Sequence, residues 1–295
     1  MEKRPVIIDT DLTLDDAVAF VMAAKSNAFD IKAVIPSGAD SLAVMENINR
    51  LRSLYSLDFR TGQGAVKPLF DDAFDKRDVY GKTEDFAQFL PCCDNSASAE
   101  YAWDVIKDET EKAAGEMEIV TMGPLTNTAI ALLRYPQIKQ QIKRIVCAAG
   151  SGYVGNVLPY SEYNAYSDPY ALQVVIDSGV PVVMCGLDGV ENCSFTAESP
   201  FEFKAANAFE EKLADICKAK SKDGSLTLYS AVAVAYMLDE SVAQLNDYYV
   251  AVETRSADNK GWTVVDRLGK YKKQPNISVV TDSSMEIFQK IVLTL

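Results

Sequence analysis

The stretch that most constrains the fold is Val6-Ile7-Ile8-Asp9-Thr10-Asp11-Leu12-Thr13-Leu14-Asp15-Asp16. Its apolar start reads as a buried strand, and the apolar pattern from Ala17 to Ala24 reads as the helix that follows. Between them stand four carboxylates within eight residues. Burying ionised carboxylates together is costly unless something positive pairs with them. No Lys or Arg lies between Pro5 and Ala24. A hard divalent cation answers that need, because Ca²⁺ and Mg²⁺ take oxygen ligands and Ca²⁺ tolerates irregular geometry. Helix capping would account for Asp15 and Asp16. It does not account for Asp9 and Asp11 at the strand's end, which is where open α/β sheets bind ligands.

The strand–turn–helix unit recurs. Ile31 to Pro36 reads as a strand that breaks at Ser37-Gly38-Ala39-Asp40, with a helix from about Ser41 to Leu54. Phe59 to Val66 and Pro68-Leu69 read as short extended segments, and Asp71 to Ser98 as a long polar loop of the kind that is functional or disordered. A helix is predicted over about Ala99 to Ala114, a strand over Met117 to Met122, a turn at Gly123-Pro124-Leu125-Thr126-Asn127 and a helix to Leu133. Arg144 to Ala149 reads as a strand entering a loop, Gly150 to Ser167. Asp168-Pro169 opens a helix with Pro in its first turn, and Pro181 to Cys185 is a further strand.

This alternation predicts an α/β fold with a doubly wound, mainly parallel open sheet flanked by helices. The C-terminal part reads as small and mixed. It has helices at Pro200 to Lys218 and Leu226 to Leu238, and paired strands at Tyr248 to Glu253 and Gly261 to Asp266. A last strand at Ile277 to Thr281 and a last helix at Ser284 to Leu293 follow. No linker interrupts the 295 residues, so one domain over 1–295 is expected.

Composition narrows the chemistry. The chain has no histidine, which removes Ser-His-Asp triads, His-ligated zinc and His as acid or base. Acid–base work is left to carboxylates, Tyr, Lys, Cys or bound water. A net charge of −13 argues against nucleic acid as a partner. The six cysteines lack paired metal spacing. No apolar run is long enough to span a membrane, and Met-Glu-Lys-Arg-Pro leads into a strand, so no membrane partner and a cytoplasmic location are expected.

Taken in order, the motifs resemble the nucleoside hydrolases, or nucleoside N-ribohydrolases. The first turn matches their Asp-x-Asp-x-x-x-Asp-Asp pattern, and Met122-Gly123-Pro124-Leu125-Thr126-Asn127 matches their second turn. Gly155-Asn156-Val157, Glu162-Tyr163-Asn164 and Asp168-Pro169 match their sugar-binding loop. Ala233 to Asp239 and Thr263 to Asp266 match a late helix and the final strand region. The matches run from residue 6 to about 281.

The resemblance implies N-glycosidic hydrolysis with Ca²⁺ as cofactor and a nucleoside as the small-molecule partner, in a homodimer or homotetramer. Asp11 would bind Ca²⁺ and take a proton from the attacking water. Asp16 would be a second carboxylate ligand, and Met122 would offer its backbone carbonyl. Asp15 would hold the ribose 2′-hydroxyl, and Asn156, Glu162 and Asn164 the 3′- and 5′-hydroxyls. On local signals alone, Asn156, Glu162 and Asn164 read as ordinary loop residues, and Asp9 and Asp188 as structural acids.

Four departures from the family pattern refine this expectation. Leu12-Thr13 stands for Pro-Gly, Ala39-Asp40 for Gly-Asn, Tyr80-Gly81 for His-Gly and Tyr229-Ser230 for His-Asp. Aromatics in place of histidines, with an Ala-Asp pair, resemble the purine-specific branch. Tyr80 and Tyr229 would sandwich a purine, and Asp40 would accept a hydrogen bond from it. Ser230 stands where the family has its last metal carboxylate. Ser230 or a water would fill that position, Asp223 would reach in, or the ion would be lost. The retained Asp11, Asp15, Asp16, Glu162 and Asn164 favour the first. The expected activity is purine-nucleoside hydrolysis. The alternatives are a silent nucleoside binder and a hydrolase of another ribosyl compound.

Overall fold

The computed structural model describes residues 2–38, 40–70, 86–92 and 98–294. In chain order the first elements are β1 (Arg4–Thr10), α1 (Leu14–Lys25), β2 (Phe29–Pro36) and α2 (Ser41–Leu54). Next come α3 (Ala102–Lys112), β3 (Met117–Thr121), α4 (Thr126–Arg134) and β4 (Ile142–Cys147). Then follow α5 (Tyr163–Ser167), α6 (Pro169–Ile176), β5 (Val182–Met184), α7 (Leu187–Val190) and β6 (Ser194–Phe195). The chain ends with α8 (Ala208–Asp223), β7 (Leu226–Thr227), α9 (Tyr229–Leu238), β8 (Ala243–Tyr248), β9 (Val250–Val252), β10 (Thr263–Val265), β11 (Ile277–Ser283) and α10 (Met285–Thr294).

Seven strands form one sheet in the order β2-β1-β3-β4-β5-β11-β8. Every neighbouring pair is parallel except β11 and β8. The parallel strands are apolar on both faces because helices cover both. Val6 and Ile8 face one buried layer with α1, α8 and α9, while Ile7 faces the other with α3, α4 and α6. The doubly wound reading therefore holds, and β9 with β10 forms the expected small pair. Among the described residues, no helix is long and apolar enough to cross a membrane.

Three expectations are corrected. The helix placed at Leu226 begins at Tyr229, because Leu226 and Thr227 pair with Phe195 and Ser194 as a two-stranded ribbon. The helix placed at Pro200 begins at Ala208, where the Asn207 side chain accepts from the Glu210 amide and so caps it. The loop Gly150 to Ser167 contains α5, whose first amides are held by Glu162. The polar edge strand β8 was not anticipated.

The order β2-β1-β3 makes the carboxyl ends of β1 and β3 a topological switch point, where such sheets bind ligands. A Cβ on Gly123, just after β3, would run into Ser37 Oγ and stand 3.0 Å from the Asp11 amide nitrogen. Glycine here lets the turns after β1, β2 and β3 close on one another. Leu12, at the centre of the acidic turn, is fully buried and adopts a left-handed φ of 54°. That conformation is strained for a residue with a Cβ. Burial of its side chain offsets the strain, and its amide donates to Thr10 Oγ1 at 2.9 Å and to Asp16 Oδ2 at 3.1 Å.

At the other end of the strands, Glu118 of β3 is 1% exposed. Its carboxylate meets Arg4 Nη1 of β1 at 2.8 Å and Arg144 Nε of β4 at 2.9 Å. The triad ties three adjacent strands. Replacing Glu118 by Ala leaves two guanidiniums without their buried partner. It should cost about 3–5 kcal/mol in urea unfolding, and a loss under about 1 kcal/mol would show the triad to be dispensable.

Candidate active site

A cavity of about 590 Å³ opens at this edge. The turn between β1 and α1 supplies Asp11, Asp15 and Asp16 to its wall, and the turn after β3 supplies Met122. The loop after β4 supplies Asn156, Glu162 and Asn164, and the start of α9 supplies Tyr229 and Ser230. Asp40, at the start of α2, also lines it. The cavity thus brings together every candidate residue named from the sequence except Tyr80 and Asp223. Tyr80, like Ala39, lies outside the described residues.

The four acids of the turn are held differently. Asp9 is fully buried behind the cavity, where Asn127 Nδ2 donates to it at 3.0 Å and Thr128 Oγ1 at 3.2 Å. Burial pushes its pKa up to about 7. Asp16 accepts from Thr10 Oγ1 at 2.6 Å and, on its other oxygen, from Ser230 Oγ at 2.8 Å. Asp15 accepts from the backbone amides of Ser230 at 2.8 Å and Ala231 at 3.2 Å. It therefore meets the positive end of α9. Burial, then the charge of Asp16, still raises Asp15 to about 7. Asp11 is held well above the ordinary carboxyl range by burial and by Asp16, which lies within hydrogen-bonding reach. The amide that offsets this is its own.

The loop after β4 is equally fixed. Glu162 accepts from the amides of Gly150 at 2.9 Å, Asn164 at 2.8 Å and Ala165 at 3.0 Å. Burial lifts its pKa to about 7 despite these donors. Asn164 Nδ2 donates to the Met122 carbonyl at 2.7 Å and to the Ala148 carbonyl at 2.8 Å. Its Oδ1 is buried with no hydrogen-bond partner among the described residues. Asn156 Oδ1 accepts from the Tyr163 amide at 2.9 Å. Asp188 accepts from the Gly152 amide at 2.6 Å, and Trp262 Nε1 donates to the Gly152 carbonyl at 2.9 Å. Asp188 is thus a structural acid that fastens the loop.

Two expected sugar contacts, Asp15 and Glu162, therefore make their principal bonds to backbone amides while still lining the cavity. A carboxylate offers about four acceptor sites, so both retain acceptor capacity. Asp223 is not among the described residues that line the cavity, which leaves Ser230 at the far side of Asp16. Sequence reasoning missed Lys220 and Thr227 in the wall. Lys220 gave no signal, because Lys218, Lys220 and Lys222 together look like a solvated helix face.

The oxygens present fit a hard cation. Asp11 and Asp16 crowd one another with no positive charge among the chief causes of the Asp11 shift, and Asn164 Oδ1 is a buried acceptor lacking a donor. Met122 and Ser230 add neutral oxygens. Among the described residues, no three acidic or sulfur side chains converge on one point. The physical reason is that Asp15 turns to α9 and that position 230 is a hydroxyl.

Comparison with known proteins bears on the family. The family model described as inosine-uridine preferring nucleoside hydrolase matches residues 6–290. The pyrimidine-specific ribonucleoside hydrolase RihA of Shewanella woodyi is 30% identical over 291 residues, covering 95% of this chain and 93% of its own. A solved inosine-guanosine nucleoside hydrolase superposes with a TM-score of 0.85 at 26% identity, covering 99% of this chain and 98% of its own. A purine-preferring ribonucleoside hydrolase from Gardnerella vaginalis shares the fold, with a TM-score of 0.80 at 22% identity over 99% of this chain and 97% of its own. With a carboxylate-floored cavity at the switch point and a family match along nearly its whole length, this chain belongs to the inosine-uridine preferring nucleoside hydrolase family.

Proposed function

We propose that this chain hydrolyses purine ribonucleosides to free base and ribose. The observation that carries the purine preference is Tyr229, half-buried in the wall beside Ser230, in a chain with no histidine to protonate a leaving base.

Cleavage of an N-glycosidic bond passes through an oxocarbenium-like sugar. A floor of carboxylates stabilises that developing positive charge. Asp11 is the base: it is the turn acid whose carboxyl has the least neutral donation, so it is the readiest to take a proton from water. Asp15 keeps acceptor capacity for a ribose 2′-hydroxyl. Asn156, Glu162 and Asn164 line the same wall and would hold the other hydroxyls. Tyr229 stacks on the base, with Tyr80 as its expected opposite face. Stacking stabilises a base by ~1–3 kcal/mol in comparable contacts. Asp11, Asp16, the Met122 carbonyl and Ser230 would hold Ca²⁺. When bound, it supplies positive charge that eases ionisation of water beside Asp11.

A pyrimidine preference is the second reading, and the description of the RihA relatives as pyrimidine-specific favours it. Release of free base from inosine, adenosine, guanosine and uridine separates the two. Equal turnover of uridine counts against purine stacking. Tyr229→Ala should lower kcat/KM for purine nucleosides by about 10- to 100-fold and for uridine by less. Asp11→Asn should lower kcat by about 10²- to 10⁴-fold with an unchanged circular-dichroism spectrum. A near-normal rate would remove Asp11 from the mechanism.

The carboxyls also set a pH dependence. Without a cation, Asp15 and Glu162 titrate at about 7 in the folded chain, against about 4 when unfolded. Between those values the folded state binds more protons, so stability falls as pH rises from about 4 to 7 and stays low above it. The Tm of EDTA-treated protein should be higher at pH 5 than at pH 8. Millimolar Ca²⁺ should raise it at pH 8 far more than at pH 5. No calcium effect at pH 8 would be evidence against the cation site.

A further inference from the structure

Thr10 is fully buried and is not among the described residues that line the cavity. Its hydroxyl joins two parts of the acidic turn. Thr10 Oγ1 accepts from the Leu12 amide at 2.9 Å and donates to Asp16 Oδ2 at 2.6 Å. The direction follows from bookkeeping of protons: a hydroxyl has one proton and two lone pairs, and the Leu12 amide occupies a lone pair. The same amide also donates to Asp16 Oδ2, at 3.1 Å. That oxygen therefore takes two donors, one from each side of residue 11, while the other oxygen of Asp16 takes Ser230 Oγ. The turn is walled elsewhere as well. Leu12 sinks its side chain into the core, and the Asp11 amide lies against Gly123, where a Cβ would stand 3.0 Å from it.

Residues 10, 12 and 16 thus close a ring around Asp11. We propose that Thr10 is a positioning residue: its hydroxyl holds the Asp16 carboxylate in register with Asp11 for the Ca²⁺ the two acids would share. This rests on the cation reading given above. It assigns the geometry of the acid pair to a side chain that touches neither ion nor nucleoside. The physical reason is rotational freedom. A carboxylate already anchored on both oxygens has little left to lose when it binds, whereas a loose one must first be ordered. Like charges so close also push apart unless something holds them. Valine keeps the shape of Thr10 and removes its hydroxyl, so Asp16 Oδ2 keeps only the longer bond from Leu12. Partners that orient a metal ligand from outside typically change metal affinity or activity by about 10- to 100-fold.

Calorimetric Ca²⁺ titration of the EDTA-treated full chain tests this without turnover, and inosine hydrolysis at saturating Ca²⁺ adds a second readout. Thr10→Val should weaken Ca²⁺ binding by about 10- to 100-fold. It should lower kcat while KM for inosine changes by less than about 3-fold, because Thr10 does not reach the substrate. Thr10→Ser keeps the hydroxyl and should bind Ca²⁺ within about 3-fold of the native chain. If Thr10→Val does not fold, Thr10→Ala carries the same expectation. Native-like Ca²⁺ affinity in the folded variant overturns the proposal even where its Tm falls, since a residue that only supports the fold would behave in that way. An equal loss of affinity in Thr10→Ser overturns it too, because the hydroxyl is then not the cause. So does a native chain that binds no Ca²⁺. A native chain that binds Ca²⁺ but cleaves no nucleoside sinks the hydrolase reading alone, and the Ca²⁺ affinities of the variants then decide the role of Thr10.

Discussion

The constraint on which the site depends is the burial of several carboxylates at the end of one strand. Water cannot solvate them there, so each must find donors within the fold or hold a proton. The chain solves this one acid at a time. Asn127 and Thr128 answer Asp9, Thr10 and Ser230 answer Asp16, and the first amides of α9 answer Asp15. Three loop amides answer Glu162. Asp11 is left beside Asp16 with its own amide, so burial and Asp16 hold its carboxyl well above the ordinary range. The turn that presents it is shaped beforehand by a buried, left-handed Leu12.

Much of this was legible because it is local. The acidic turn, the Met122 turn and the Asp168-Pro169 helix start are each written in consecutive residues. In the structure, Asp168 accepts from the Ala171 amide at 2.9 Å, as a helix cap should. What was not legible is non-local or disguised. Nothing near Asp15 in sequence announces that its oxygens face residues 230 and 231. The edge strand β8 carries Gln244, Asn246 and Asp247, and such a polar segment looks like loop until β11 pairs with it. Lys220 looked like one of three solvated lysines.

Two kinds of element meet at the cavity. The acids and Asn164 sit on turns tied to the central sheet, where packing fixes them. Asp40, Lys220 and Tyr229 come from helix ends. Proteins described as a pyrimidine-specific and as an inosine-guanosine hydrolase are both similar to this chain.

The bond between Ser230 and Asp16 joins residues 214 apart in sequence. Loop closure over such a span is entropically slow and comes after local pairing. During synthesis, β1 and its acids emerge long before α9 can dock on them. Until residue 231 has left the ribosome, Asp15 lacks its amides and Asp16 lacks the second of its two hydroxyls, that of Ser230. A nascent or truncated chain can thus carry most of the sheet without a finished site, and the competent cavity appears near the end of translation.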